Sequence, residues 1–249
     1  MKNKILNIYI VLLLLLTIVL SFFLAKFYIL DHYKKVTVVY STTSSLSVSD
    51  NKNVPEIKTV EESTKENTDI DNSAKAIFLK KKALVVGDSM GEGLSAYGAL
   101  DTESVVFHRG RRIDTMKADM PTVIEKNPSY LFLAYGANDL KIWNGNVDGF
   151  IKAYRSSIEY IESVLPDTKI IINSVLPTSS KTSSTTPAFS YQPQFNKALK
   201  ELASELKIDF LENSSYLNDN EYSPDGIHPK RKFFYEWADH MAEYLNKQK

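Results

Sequence analysis

No cysteine occurs anywhere in the 249 residues. That one absence removes disulfides, thiolate metal sites and a cysteine nucleophile together. It also suits an oxidising compartment, where a stray thiol would be a liability. Histidine is scarce, at four residues, too few for a His-rich metal site. Neither sign of charge dominates, with 30 Lys+Arg against 30 Asp+Glu, so the footprint of a nucleic-acid binder is missing. Gly87, Gly91 and Gly93 fit neither phosphate-binding glycine spacing, which argues against a nucleotide fold. No cofactor or metal is expected.

Long hydrophobic runs are also absent, with one exception. Ile8 to Ala25 is apolar apart from Thr17 and Ser21, and Phe27 to Leu30 extend it past Lys26. At 1.5 Å per helical residue the run spans about 27 Å, close to a bilayer core. A cleaved signal peptide would have a shorter apolar region and a small-residue cleavage site. Here Phe22, Phe23 and Leu24 crowd the only candidate, Ala25. Residues 1–35 are therefore expected to be a membrane anchor, with one transmembrane helix over about 8–30. Basic residues flank both sides, Lys2 and Lys4 before and Lys34 and Lys35 after, so the positive-inside count leaves orientation open.

Residues 36–76 are polar, with a Ser/Thr run at 41–45 and charges from Glu61 to Glu66. Without a sustained apolar period such a segment cannot offset its ordering entropy, and a flexible stalk is expected. After Ile77 the pattern changes. Short apolar runs beginning at Ala83, Ser104, Tyr130, Lys169 and Ile208 read as buried strands. Helical spacing separates them, as in Phe150, Tyr154, Ile158 and Ile161, or Phe195, Leu199, Leu202 and Leu206, and a last helix carries Phe233, Phe234, Trp237, Met241 and Leu245. This alternation predicts an α/β domain over 77–249, three layers α/β/α around a five-stranded parallel sheet. Ligands of such sheets bind beyond the carboxyl ends of the strands.

Four blocks fall at those ends: Gly87-Asp88-Ser89-Met90, His108-Arg109-Gly110-Arg111, Gly136-Ala137-Asn138-Asp139, and Ser223-Pro224-Asp225-Gly226-Ile227-His228-Pro229. Singly, each reads as a turn or helix cap. Together, and in this order, they resemble the blocks of the SGNH (GDSL-type) hydrolases over about two-thirds of the chain. Met90 departs from the family's leucine, at a position that does no chemistry. The resemblance implies the flavodoxin-like SGNH fold and a Ser89, Asp225, His228 triad. A serine hydroxyl needs a base, neutral histidine supplies one near pH 7, and a carboxylate holds its tautomer. The oxyanion hole would use the N–H of Ser89 and Gly110 and the Asn138 side-chain amide. Gly110 is expected there because the absent side chain allows close approach.

Other residues near the blocks suggest weaker roles. Trp143 could form a sugar platform and Arg111 a substrate contact, although the Arg109, Arg111, Arg112 cluster also fits a solvated loop. Asp88 and Asp139 are expected to bond nearby backbone. His108 has no acidic neighbour in sequence. His240 is expected to be solvent-exposed, and Thr178–Thr186 to be a mobile loop. A metallophosphatase would need more histidines than the strand ends offer.

The resemblance implies a serine esterase acting on short acyl, mainly O-acetyl, esters of cell-envelope carbohydrate or on a small ester. An O-acetyltransferase with the same triad is the alternative, since Gly110-Arg111-Arg112 is similar to a segment of peptidoglycan O-acetyltransferases. A non-catalytic envelope binding module is a further one. The expected partners are an acylated substrate and, through the N-terminal helix, the membrane, but no nucleic acid. The expected location is a single-pass cell-membrane protein with its catalytic domain outside.

Overall fold

The computed structural model describes residues 73–248. The expected transmembrane helix and nearly all of the expected stalk lie outside the described residues. Among the described residues no helix is long and apolar enough to cross a membrane.

Five parallel strands make the sheet: β1 (Ala83–Gly87), β2 (Val105–Phe107), β3 (Tyr130–Ala134), β4 (Lys169–Asn173) and β5 (Asp209–Leu211). Their order is β2-β1-β3-β4-β5, the flavodoxin-like arrangement. Register follows the hydrophobic alternation, with Val85 beside Val105 on one side and Phe132 on the other. Leu84, Val86, Leu131, Leu133, Ile170 and Ile172 enter one core. The intervening Val85, Phe132 and Ile171 enter the other. Period-two alternation thus splits one sheet into two buried faces.

The first face is covered by α3 (Met120–Lys126), α5 (Val147–Val164) and α7 (Gln192–Leu206). Asn146 caps α5 by accepting the Gly149 N–H at 3.0 Å. The helix stops before Pro166, whose ring disfavours helical backbone at Leu165. The second face is covered by α1 (Ala74–Lys80), α2 (Ser89–Ala96) and α8 (Arg231–Asn246). Helices α2 and α8 approach so closely that a Cβ on Gly93 would lie 2.2 Å from the Phe234 ring. The remaining helices are α4 (Ala137–Trp143) and α6 (Ser180–Thr185).

Three expectations need correction. The domain begins before Ile77, because Ser73 caps α1 and Ala74, Ile77 and Phe78 are buried. Seven residues give too short a periodic signal to separate from a polar stalk. The stretch Thr178–Thr186 contains α6, which buries nothing. Its backbone is held by the Ser179 cap and by Thr185 and Ser184 hydroxyls donating to the Lys181 carbonyl. Side-chain hydrogen bonds replace the missing apolar face. Finally, His240 is half-buried, with Nδ1 2.8 Å from Asn213 Oδ1. Asn213 in turn donates to Asn173, which also accepts from the Trp237 indole.

Candidate active site

Strand β1 delivers Ser89. Asp88 caps α2 by accepting the Met90 N–H at 2.9 Å, and Ser89 is the first residue of that helix. Its hydroxyl stands beyond the sheet end, at the positive end of the helix. The order of strands reverses between β1 and β3, so Ser89 and Asn138, which follow those strands, sit at the switch point where such sheets open a crevice.

The loop after β5 brings the other two groups. Tyr222 and Pro229 form an antiparallel bridge, and the Ser223 N–H donates to the His228 carbonyl at 2.8 Å. Asp225 Oδ1 accepts the Ile227 and His228 N–H groups at 2.9 and 3.0 Å. Its Oδ2 is left for His228 Nδ1, at 2.6 Å. With Nδ1–H donated to the carboxylate, Nε2 is the accepting nitrogen. The Ser89 hydroxyl lies 3.0 Å from it. Burial pushes the Asp225 carboxyl up, but hydrogen bonds from His228 and the two backbone N–H groups outweigh it, leaving it below the ordinary carboxylate value. Such a relay can take a proton from the hydroxyl and hold it on an imidazolium facing a carboxylate.

Gly110 has φ +76°, and a Cβ there would meet no protein atom within 4 Å. Backbone conformation is what favours glycine at this position, and crowding by the protein's own atoms is not. The Asn138 amide donates to Asp88 Oδ2 at 3.1 Å and to the Arg111 carbonyl at 3.3 Å. Both amide hydrogens therefore have acceptors.

Beneath these groups lie buried carboxylates. Burial raises Asp88 to about 6, against opposing hydrogen bonds from Met90 and Asn138. Burial likewise raises Asp139 to about 7. Asp139 accepts the Ile113 N–H at 3.2 Å and the Trp143 indole N–H at 3.2 Å. Its backbone partner is thus remote in sequence, while that of Asp88 is near.

The cleft beside Ser89 has a volume of about 390 Å³ and is lined by Ser89, Glu92, Arg109 and His228. Trp143 and Arg111 are not among its lining residues. Asp139 engages the indole, and buried Asp119 engages the Arg111 guanidinium at 3.0 Å. Asp119 also pairs with His108 Nδ1 at 2.6 Å and accepts the Tyr135 hydroxyl at 2.9 Å. His108 therefore has an acidic partner after all, supplied by tertiary structure. The arginine cluster is paired throughout, Arg109 with Glu92 and Arg112 with Asp114. Glu92 escaped the reading of the sequence, although its position one turn after Ser89 puts both on one side of α2.

Residues 85–232, more than half of the chain, match the model of the GDSL-like lipase/acylhydrolase family. A Bacteroides fragilis protein assigned as an acylhydrolase is 19% identical, with a TM-score of 0.56 over 67% of this chain and 87% of that one. A GDSL-like lipase from Bacteroides thetaiotaomicron is also 19% identical, with a TM-score of 0.55 over 68% of this chain and 90% of that one. The acetylxylan esterase Axe2 from Geobacillus stearothermophilus is 16% identical, with a TM-score of 0.51 over 68% and 95%. At these identities the likeness is one of fold. No curated protein matches. The family match, on a chain whose serine, histidine and aspartate meet at the sheet end, identifies it as a member of the GDSL-like lipase/acylhydrolase family, a serine hydrolase acting on ester bonds.

Proposed function

We propose that this protein removes short acyl groups, O-acetyl above all, from carbohydrate of the cell envelope, with Ser89 as nucleophile, His228 as general base and acid, and Asp225 as the group that orients His228. The observation that carries the reading is the unbroken contact from Asp225 Oδ2 to His228 Nδ1 at 2.6 Å and from His228 Nε2 to Ser89 Oγ at 3.0 Å.

In the reaction, Ser89 Oγ attacks the ester carbonyl carbon as its proton passes to His228 Nε2. The carbonyl oxygen becomes an oxyanion, met by the N–H groups of Ser89 and Gly110 and by the Asn138 amide. The C–O bond to the alcohol then breaks, the alcohol leaves with the proton from His228, and the acyl group stays on Ser89. Water attacks this acyl-enzyme, gives a proton to His228, and the acid leaves as Ser89 recovers its proton. The depressed Asp225 carboxyl remains ionised throughout and stabilises the transient imidazolium.

The four residues lining the cleft are all polar or charged, which supports a polar alcohol. The acetyl class draws on the similar acetylxylan esterase. We further propose that Ile8–Leu30 anchors the chain, with residues 36–249 on the outer side. Were the polar segment a flexible coil of about forty residues, it would span on the order of 35 Å root-mean-square, enough to reach past lipid headgroups. Protease added to intact cells should then release an active domain of about 170 residues.

An organophosphonate probe followed by peptide mass spectrometry tests the chemistry directly. The expected adduct is on Ser89, with parallel turnover of a chromogenic acetyl ester. Labelling elsewhere, or no turnover by the intact protein, would overturn the reading.

A further inference from the structure

Two of the four residues lining the cleft belong to no step above. Glu92 and Arg109 face one another there, Arg109 Nε donating to Oε2 at 2.7 Å and its terminal nitrogen to Oε1 at 2.6 Å. The Arg109 side chain is 78% exposed and that of Glu92 21% exposed. With its arginine this open, solvent screens the pair and limits what it adds to stability.

Its hydrogen-bonding capacity, in contrast, suits a ligand. A guanidinium carries five N–H donors, and the pair uses two of them. The carboxylate offers about four acceptor sites, of which two are filled. Donors and acceptors are therefore left side by side on one rigid unit whose charges cancel. Burial pushes the Glu92 carboxyl up less than the Arg109 hydrogen bond holds it down, so the pair stays ionised. A free anion would meet Glu92 and a free cation would meet Arg109. A neutral molecule with adjacent hydroxyls satisfies both at once. No apolar side chain among the described residues lines this cleft to receive an acyl chain or an aromatic alcohol.

Both residues are also placed by the machinery they serve. Glu92 lies one helical turn after Ser89 on α2, and Arg109 directly precedes Gly110. We propose that the Glu92–Arg109 pair is the subsite for the alcohol half of the substrate, and that it selects esters of polyhydroxylated alcohols by binding hydroxyls next to the acylated one. This rests on the serine-esterase reading and narrows its substrate class to neutral carbohydrate.

The test compares kcat/KM on a neutral acetylated sugar with kcat/KM on phenyl acetate, for the full-length protein and its Arg109→Ala, Arg109→Lys and Glu92→Gln variants. The wild type should prefer the acetylated sugar. Arg109→Ala should lower the ratio of the two constants at least tenfold, chiefly through KM, as expected when a remote substrate contact is lost. Arg109→Lys should fall between, since it keeps the charge but not the fork. An equal fall on both esters would make Arg109 a support for the Gly110 turn and overturn the proposal. An unchanged ratio, or a wild type that prefers phenyl acetate, would overturn it while leaving the esterase reading intact. A wild type inactive on both esters would instead remove that reading, and this inference with it.

Discussion

The loop from Tyr222 to Pro229 and the buried layer around Asp88 and Asp139 serve one site by opposite means. The loop holds its groups at the surface, with His228 and Asp225 side chains 42% and 46% exposed. Its geometry is nearly all local: Asp225 bonds the N–H groups two and three residues on and the imidazole of the latter. The layer beneath is dry, with Asp88 and Asp139 fully buried. Beside the local bonds from Met90 and Trp143, it is held by long-range ones that link Asp88 to Asn138 and Asp139 to Ile113. Beside the imidazole, burial pushes the Asp225 carboxyl up but hydrogen-bond donors outweigh it and hold the pKa low. Where a carboxylate supports a neighbouring amide or N–H, burial raises its pKa and couples it to pH.

The sharpest break in that comparison is chemical. Ser89→Ala and His228→Ala should each cost about four orders of magnitude or more in kcat on a short acetyl ester, as removal of such groups does elsewhere. Near-wild-type thermal unfolding should accompany both, because neither side chain belongs to a core cluster. Asp225→Asn should cost less than either if its main service is orientation. A variant keeping more than one-tenth of the wild-type rate would remove its residue from the assignment.

Asn138→Ala probes the border between the two regions. Losing one oxyanion donor typically costs about 2.7–4 kcal/mol, or about 10²–10³ in kcat with little change in KM. Here the variant also strips Asp88 of a hydrogen bond. A rise in KM alone would make Asn138 a substrate-binding residue.

How much of this was legible follows from the same contrast. The strands, the long helices and the four strand-end blocks could be read because their signals are periodic or lie within a few residues. Asp225 and His228 belong to that class. The fates of Arg111, Trp143 and His108 did not, because each depends on a buried carboxylate, Asp119 or Asp139, brought in by folding. Sequence spacing carries no trace of such a partner. Helix α6 was missed for a related reason, since hydrogen bonds of its own hydroxyls replace apolar burial.

A smaller effect tests the dry layer through pH. The Asp139 carboxyl is raised in the folded protein to about 7 from an ordinary 3.8. The folded state therefore binds more protons than the unfolded state between those values, and Asp139 removes stability as pH rises through about 4 to 7. The upper bound is about 4 kcal/mol. Asp139→Asn should flatten this part of the profile relative to wild type in urea denaturation at pH 4.5 and 8. Parallel profiles would show that the carboxyl titrates normally.

The smallest expected effect concerns Gly110, where conformation and crowding predict different outcomes. Its φ of +76° suits glycine, tolerates asparagine and strains alanine. No protein atom lies within 4 Å of an added Cβ. If conformation is the whole reason, Gly110→Ala should cost about 1 kcal/mol of stability and less than about tenfold in kcat. Gly110→Asn should then be the milder variant in both, despite its larger side chain. If the substrate itself needs the space, the kinetic order reverses while the stability order stands. Asparagine would leave stability nearly intact yet lower kcat/KM more than alanine does. Thermal unfolding and steady-state kinetics on the two variants decide between a turn chosen for its backbone and one kept clear for the ester.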